Sequence, residues 1–342
     1  MKPLVSILIS AYNAEQWIGE TLQSALAQTW PNKEIILVDD GSRDQTAKIA
    51  RRFASQGVTV LSTENRGLSA GQNYAYKHSR GDYLQYLDAD DLLARDKIER
   101  QLATLRKCDS RRLLFSSPWA FFYYRTRDAR FVHNCLCEDL SPVEWLLRKL
   151  GQNLHMQNAT WLVSRELAEA AGPWDENLHY DQDGEFFARV LIASTGTRFI
   201  RDTGIYYRAS PTSRVSYIGN SNLKKDSLLR SMKLHMHYLQ SLEESERVRK
   251  ACLAYLQNWY HVFYPERADA VAELQALAAQ LHGNLEEPRL RWKYAWMEPV
   301  FGWKAAKWAQ MALPQFKASC IRRWDKAMFS LETGKGGVEV AS

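Results

Sequence analysis

The sequence lacks several features that would place it in a special class of protein. No apolar run approaches the roughly 20 residues needed to span a bilayer, and the strand-like segment behind Met1 is too short for the core of a secretory signal. The five cysteines are odd in number and show no paired spacing. Two of them, at residues 135–137, lie too close together for an ordinary structural zinc site. We therefore expect reduced thiols and a cytoplasmic protein.

The bulk composition is that of an ordinary globular protein. Hydrophobic residues make up 46% of the 342 positions and charged residues 25%, which excludes a disordered chain. The length suits one large domain with an appendage, or two domains. The formal charge of +6 is modest, and basic residues concentrate late in the chain.

Strands and helices alternate in the first half of the sequence. Apolar strands are predicted at residues 5–9, 34–38, 58–61 and 83–87. Helices are predicted between them, the first two beginning at Asn13 and Ser42 in the manner of capping boxes. Near-continuous apolar strands separated by helices indicate an α/β fold with a parallel sheet covered on both faces. The pattern becomes helical later, and we place a domain boundary near residue 218.

Polar clusters directly follow each of the four predicted strands, at residues 10–13, 39–42, 65–67 and 88–91. Right-handed crossovers bring the loops that follow parallel strands to one edge of the sheet, where open α/β sheets bind ligands. We therefore expect a binding site at this edge.

Three carboxylates crowd the loop after the fourth strand: Asp88, Asp90 and Asp91. Like charges this close repel each other unless a positive charge lies between them. Asp oxygens without nearby Cys or His suit a hard divalent cation such as magnesium, manganese or calcium. The alternative is an acidic turn in which one of these residues, best Asp91, caps the following helix.

Residues 5–13, 28–31, 35–42 and 86–91, followed by 171–176 and 182–189, together closely resemble the inverting family 2 glycosyltransferases of the GT-A fold. The resemblance covers about residues 1–215. It implies a Rossmann-like, mostly parallel sheet with flanking helices in a catalytic domain at 1–218, and leaves a helical C-terminal region at 219–342. It also implies a nucleotide-sugar donor, usually UDP- or dTDP-linked. The sugar would pass with inversion to an acceptor hydroxyl on a glycan or lipid-linked glycan.

The resemblance assigns the donor site to six residues: Ser10, Tyr12, Asp39, Asp40, Arg66 and Asp88. Asp40 would accept hydrogen bonds from the base, while Asp39 would shape the turn or reach the ribose. Tyr12 offers a flat face for the base, and Arg66 a fixed positive charge for the diphosphate. Plain packing for Tyr12 and a solvated loop charge for Arg66 are the alternatives.

The resemblance also names a metal site and a catalytic base. Asp90, with Asp88, would hold Mg²⁺ or Mn²⁺ at the diphosphate of the leaving nucleotide. Asp183 would take the proton of the attacking hydroxyl, although Gln182 replaces the glutamate that usually precedes this base. Alternatively, the acids at 181–185 only stabilise a helix N-terminus, where the helix macrodipole favours negative charge.

Residues on the acceptor side are predicted from the same likeness: Trp174, Glu185 and His155. For Trp174, sugar stacking and core packing both remain open, whereas Trp161 is predicted to be core. Arg189 is expected to pair with one of the neighbouring acids. Two departures from the family are an absent arginine at residues 70–73 and an absent histidine after Tyr207. Arg208, Ser213 or Arg214 would have to replace that histidine.

The tail at residues 289–326 interleaves five tryptophans with seven basic residues that we singled out: Arg291, Lys293, Lys304, Lys307, Lys317, Arg322 and Arg323. Such a helix fits an anionic membrane surface, and would place the enzyme at the inner face of the membrane beside lipid-linked acceptors. Packing of the tryptophans on the catalytic domain is the alternative. No nucleic-acid module is visible, so nucleic acid is not expected as a partner.

Two other functions compete with glycosyl transfer. A nucleotidyltransferase would share the sheet and the acidic site, but it usually carries a Gly-rich basic phosphate loop after the first strand. Residues 10–13 contain neither glycine nor a basic residue. A non-catalytic relative that binds nucleotide sugar or glycan would not need both Asp90 and Asp183.

Overall fold

A computed structural model describes residues 2–104, 111–209, 218–288 and 292–332. The strands are β1 Val5–Ala11, β2 Lys33–Asp40, β3 Val58–Thr63, β4 Tyr83–Asp88, β5 Leu92–Leu93, β6 Leu113–Ser116, β7 Trp119–Phe122, β8 Arg130–Phe131, β9 Val163–Ser164, β10 Gly196–Phe199 and β11 Ile205–Arg208. The helices are α1 Ile18–Leu26, α2 Thr46–Arg51, α3 Leu68–Lys77, α4 Lys97–Ala103, α5 Pro142–Gln152, α6 Arg165–Ala171, α7 Gln182–Ala193, α8 Asn222–Leu242, α9 Glu246–Phe263, α10 Ala268–Gln280, α11 Trp292–Ala295 and α12 Glu298–Glu332.

The main sheet has the strand order β3-β2-β1-β4-β9. The first four strands are parallel, and β9 pairs antiparallel to β4 at the edge. All seven residues of β1 are buried, because helices cover both faces of this central strand. The predicted α/β class with a mostly parallel sheet is confirmed.

The predicted starts of the first two helices are wrong. Helix α1 begins five residues after Asn13, and α2 begins four residues after Ser42. Further along the chain, Pro118 separates β6, which pairs with β10, from β7, which pairs with β11 and β8. A 3₁₀ turn over Asn158–Thr160 precedes β9, which holds only two residues.

Helices α8 and α9 pack against the N-terminal part of the chain, chiefly through α5 and α7, and α10 packs on α9. One continuous apolar core includes Ile7 of the sheet together with Leu228 and Leu256 of these helices. The helical C-terminal region is therefore confirmed, while the boundary at residue 218 stays a prediction.

Helix α12 is interrupted at Gly302, whose φ of +78° breaks the helical run. Beyond this point its inner side contacts the body of the protein: Ala306 and Ala309 are buried, and the Trp303 ring meets the Tyr264 ring edge-on. Within the described residues, no helix is both long and apolar enough to span a bilayer.

Candidate active site

The register of the parallel strands places the predicted donor residues side by side. Ser10 of β1 lies opposite Asp88 of β4 on one side and opposite Val38 of β2 on the other. One position further on, Ala11 lies opposite Asp39. The ends of four strands and the loops that follow them therefore share one edge of the sheet.

Two of these loops are joined by side-chain hydrogen bonds. The backbone N–H of Asn13 donates to Ser42 Oγ at 3.0 Å, and the backbone N–H of Arg43 donates to Asn13 Oδ1 at 2.8 Å. The N–H of Ala14 donates to Thr46 Oγ1 at 2.7 Å. Asn13 adopts a left-handed φ of +49°, and α1 has no side-chain cap. The prediction that Asn13 caps α1 is therefore wrong, because its side chain bonds the neighbouring loop instead.

The two acids at the end of β2 differ in what they contact. Both oxygens of Asp40 accept backbone N–H groups of the β3–α3 loop, from Arg66 at 2.9 Å and Gly67 at 2.8 Å. Asp39 Oδ1 is buried and has no hydrogen-bond partner among the described residues. A buried, unpaired carboxylate oxygen carries a free-energy penalty that a ligand donor would remove. Asp40 therefore holds the β3–α3 loop, whereas Asp39 keeps one oxygen to which a ligand could donate; the base-binding role of either residue stays a prediction.

The remaining donor-side residues are placed at the same edge. The Tyr12 side chain is 48% exposed, which leaves its ring face available to a ligand. Arg66 is also exposed, and its guanidinium pairs with Glu176 at 2.9 Å. Ser10 is buried against α3, where a Cβ on Gly71 would lie only 2.2 Å from its hydroxyl oxygen. Helix α3 can approach the site this closely because Gly71 has no side chain.

A short segment before β9 holds the acidic turn in place. Asp88 accepts hydrogen bonds from Asn158 Nδ2 at 2.8 Å and from Gln157 Nε2 at 3.2 Å. Gln157 Nε2 also lies 2.6 Å from Asp91 Oδ2. Asp91 is fully buried, and its other oxygen accepts the backbone N–H of Arg208 at 2.8 Å. The prediction that Asp91 caps the following helix is wrong, because it anchors the turn to β11, and Asp96 precedes α4.

The Arg208 side chain binds the backbone of the acidic turn and is not available to a ligand. Its side chain is buried and donates to the carbonyl of Asp90 at 2.8 Å and to the carbonyl of Tyr123 at 2.9 Å. It also pairs with Glu20 at 2.6 Å, and the Trp17 ring lies 4.1 Å from its guanidinium carbon. Of the three replacements predicted for the absent histidine, Arg208 is thus committed to this network. The other two, Ser213 and Arg214, lie outside the described residues.

The acidic turn does not form a complete metal cage. Among the described residues no group of three His, Cys, Asp or Glu side chains converges in a way that could hold an ion. Mg²⁺ commonly binds through one or two carboxylates while substrate phosphates and water supply its other ligands. Asp90 and Asp88 could supply the two carboxylates that such a site needs. The buried Asn158 Oδ1, which has no hydrogen-bond partner among the described residues, adds an oxygen beside them.

Asp183 lies in the first turn of α7, and its pKa is raised to about 6. Desolvation is the main cause, repulsion from Asp181 adds to it, and the Lys149 ammonium partly opposes both. A carboxylate with a pKa near 6 is ionised at neutral pH yet basic enough to accept a proton.

The loop that ends at Gln157 connects the acidic turn to the surroundings of Asp183. His155, two residues before Gln157, has its pKa lowered by desolvation and by Lys149, while Asp181 opposes that shift. Lys149 and Asp181 are the same two charges that act on Asp183. His155, predicted on the acceptor side, and Asp183 are therefore influenced by the same two charges.

Two of the three predicted acceptor residues are instead structural. Trp174 is buried and stacks on Phe186, with ring centroids 4.5 Å apart, so it offers no face to a sugar. Glu185 is buried, pairs with Arg189 through both oxygens at 2.7 and 2.8 Å, and accepts the Tyr238 hydroxyl at 2.7 Å. The acceptor roles of Trp174 and Glu185 are thus wrong, and the expected pairing of Arg189 is confirmed.

Sequence reasoning missed an aromatic wall beside His155. Trp119 contacts the His155 ring at 5.1 Å and the Tyr207 ring at 5.8 Å, and Phe121 packs edge-on against both Trp119 and Tyr207. Phe121 is 40% exposed and presents an apolar face to solvent. The sequence signal for this wall is the i, i+2 spacing of Trp119 and Phe121, which places both side chains on one face of a strand.

Helix α3 carries a second feature that the sequence did not reveal. Gln72 stands in the stretch where the related family often has arginine. It is fully buried, and neither its amide oxygen nor its amide nitrogen has a hydrogen-bond partner among the described residues. Its neighbour Gly71 faces Ser10, so this amide lies beside the donor edge.

Comparison with known proteins supplies the family context for this edge. Residues 6–127 match the family model described as glycosyl transferase family 2. An uncharacterized glycosyltransferase of Rickettsia prowazekii is 29% identical over 255 residues, which cover 72% of this chain and 74% of that protein. The uncharacterized glycosyltransferase EpsJ of Bacillus subtilis is 30% identical over 62% of this chain and 63% of its own length.

Relatives also differ from this chain in length. The chain spans 60% of a Rickettsia typhi glycosyltransferase to which it is 32% identical. It spans only 31% of a Rickettsia felis relative and 36% of a Rickettsia bellii relative.

Solved structures share the fold at low sequence identity. The crystal structure of S. aureus TarS 1-349 in complex with UDP-GlcNAc superposes with a TM-score of 0.66 at 16% identity, over 81% of each chain. The mannosyltransferase PcManGT from Pyrobaculum calidifontis, in complex with GDP-Man and Mn²⁺, gives 0.55 at 19% identity, over 95% of this chain and 88% of that one.

Proposed function

We propose, from the premise that this chain belongs to glycosyl transferase family 2, that it transfers a sugar from a nucleotide-sugar donor to an acceptor hydroxyl with inversion. The donor would be UDP- or dTDP-linked, and the acceptor a glycan or a lipid-linked glycan. The reaction would take place in the cytoplasm or at the inner face of the membrane.

Two carboxylates carry the proposal, one at the sheet edge and one in the first turn of α7. Asp39 presents a buried oxygen without a hydrogen-bond partner among the described residues, and Asp183 is held near a pKa of 6. The N3–H of a pyrimidine base is a donor that would satisfy Asp39, while Tyr12 would cover the face of the base. These residues support a donor with a uracil or thymine base.

Asp183 supplies the proton acceptor that inversion requires. As the acceptor oxygen attacks the anomeric carbon, its proton passes to the Asp183 carboxylate. The bond from that carbon to the diphosphate oxygen breaks on the opposite side, and its electron pair leaves with the nucleoside diphosphate. His155 and the wall formed by Phe121 and Tyr207 would contact the acceptor beside this carboxylate.

Asp90 and Asp88 would hold a divalent cation at the diphosphate. When bound, Mg²⁺ or Mn²⁺ offsets the negative charge that grows on the departing group. Gln157, Asn158 and Arg208 would keep the turn in one conformation, because their hydrogen bonds fix both Asp88 and the backbone of Asp90. The chain would thus contribute an acidic turn whose shape these hydrogen bonds already fix.

The test is a screen of nucleotide sugars by isothermal titration with and without Mn²⁺, followed by transfer assays with the donor that binds. Asp183→Asn should bind the donor as wild type does and lose transfer by at least about 100-fold. Asp202→Asn, at an exposed turn, is the matched control and should retain both. Full transfer by Asp183→Asn would refute the assignment of the base. Donor binding without transfer in wild type would instead favour a non-catalytic relative.

The pH profile provides a second check. Because Asp183 must be ionised to accept a proton, kcat/KM should fall about tenfold per pH unit below about pH 6. A profile that stays flat down to pH 5 would contradict this role.

A further inference from the structure

The C-terminal half of α12 carries an apolar stripe on the side that faces solvent. We call it the outer stripe; it consists of Leu313, Phe316, Cys320, Trp324, Ala327 and Leu331. All six are exposed, with Phe316 at 70%, Trp324 at 64% and Leu331 at 76%. Soluble proteins seldom leave such a row of large apolar side chains in water unless it has a partner.

The opposite face of the helix is fixed to the body of the protein. Asp325 is buried, pairs with Arg125 Nε at 2.6 Å and accepts the backbone N–H of Tyr124 at 2.8 Å. The Phe329 ring lies 5.9 Å from the Tyr124 ring, and Glu332 pairs with Arg125 at 3.0 Å. These contacts set the rotation of α12 about its axis, so the outer stripe faces outward as a consequence of the fold.

The charges beside the outer stripe indicate what it meets. Exposed Lys317, Arg323 and Lys326 flank it, and residues 292–332 carry seven basic against three acidic residues. Two of those acids, Asp325 and Glu332, are already paired with arginine. A second copy of this chain would bring the same positive charges face to face, whereas an anionic surface would attract them.

The outer stripe follows one face of the helix, because its members recur at intervals of three and four residues. Trp324 and Phe316, flanked by Lys and Arg, are the residue types of helices that lie in the lipid headgroup region.

We propose that the outer stripe of α12 docks on the surface of an anionic lipid bilayer. A bilayer at this position would bring lipid-linked acceptors close to the proposed active site. That link to acceptors rests on the proposed function, while the docking itself does not.

The contacts that fix α12 lead directly to the acidic turn. Tyr124, which packs on Phe329, also contacts Trp17 with ring centroids 5.2 Å apart. The carbonyl of the adjacent Tyr123 accepts a hydrogen bond from Arg208, which in turn donates to the carbonyl of Asp90. The docked helix and the predicted metal turn are therefore both connected to residues 123 and 124, so docking would set the orientation of the active site to the membrane.

The experiment is flotation of the full chain with phosphatidylcholine vesicles, with and without phosphatidylglycerol. Wild type should float with the anionic vesicles and remain at the bottom with pure phosphatidylcholine, and salt should weaken the binding. Phe316→Ser/Trp324→Ser/Leu331→Ser should lose flotation. Leu223→Ser, which removes a 58% exposed leucine from α8, is the matched apolar control.

A charge-reversal pair tests the electrostatic part. Each basic residue at an anionic surface contributes about fivefold to partitioning, so Lys317→Glu/Lys326→Glu should weaken vesicle binding by at least about 25-fold. Lys48→Glu, on exposed α2, should leave it unchanged.

Three results would overturn the proposal: no flotation of wild type, equal flotation with neutral vesicles, or a dimer in light scattering that only the triple serine variant dissociates. Circular dichroism confirms that each variant is folded. Donor binding separates this proposal from the proposed function: loss of flotation with donor affinity retained concerns the membrane alone, and flotation without donor affinity refutes only the catalytic assignment.

Discussion

Replacing Asp183 with asparagine should stabilise the protein at neutral pH. The folded structure holds an ionised carboxylate in a desolvated position next to Asp181, which is why its pKa rises from 3.8 to about 6. An asparagine of nearly the same shape carries no charge, so the substitution removes this penalty. The residue proposed as the proton acceptor should thus weaken the fold that carries it.

The size of the effect follows from the shift in pKa. About two pKa units at 1.36 kcal/mol each correspond to about 3 kcal/mol. The folded state holds its proton to higher pH than the unfolded state does, so the free energy of unfolding of wild type falls as the pH rises between about 4 and 6. Relative to wild type, Asp183→Asn should gain little below pH 4 and about 3 kcal/mol above pH 7.

Urea denaturation of both proteins at pH 4 and pH 8 measures this difference. Asp202→Asn, in an exposed turn, should change the free energy of unfolding by less than about 0.5 kcal/mol at either pH. The reasoning is refuted if Asp183→Asn is no more stable than wild type at pH 8, or if its gain is the same at both pH values.

Four further substitutions test other parts of the site. Asp39→Asn should weaken binding of a uridine nucleotide by about 10- to 100-fold in isothermal titration with little change in Tm. Asp40→Asn should instead lower Tm, because it disturbs the acceptor of two loop N–H groups. Arg208→Met should cost about 2–4 kcal/mol in urea denaturation, because it leaves two carbonyls without their donor, while water can solvate the 40% exposed Glu20 carboxylate. Gly71→Ala places a Cβ against the facing serine of β1 and should cost about 1–3 kcal/mol, whereas Gly151→Ala, with only ordinary contacts, should be neutral or stabilising.

The sheet could be predicted because its signals are local. Each of the four parallel strands is a short apolar run, and the polar residue that ends each run marks the edge where ligands bind. Asp39, Asp88 and Tyr12 could be located in this way without any knowledge of tertiary contacts. The order of the apolar runs and of the polar residues that follow them was sufficient to predict the sheet and this edge.

Roles that depend on distant partners could not be predicted. Asp91 looks like a helix cap until Gln157 and the N–H of Arg208, 117 positions away, are seen to bind it. Glu185 looks like a free acid until Tyr238 reaches it from α8. Their sequence neighbours carry no signal of these long-range contacts.

Trp174 illustrates a different limit. Tryptophan suits both a sugar face and a protein core, and the residues around it in the sequence do not decide between them. Stacking on Phe186 and edge contacts with Tyr86 settle it as core. Only the packing of β4 against α7, a tertiary event, makes that distinction.

The hydrogen bonds between the first two loops of the sheet edge have a consequence for the speed of ligand capture. The hydrogen bonds of Asn13 and Ser42 hold these two loops together before any ligand arrives, so a ligand that binds there has few backbone rotations left to freeze. Association should therefore run close to the rate of diffusional encounter, with no slow closing phase in stopped-flow traces. A substitution such as Ser42→Ala would introduce that slow phase even though the serine need not touch the ligand.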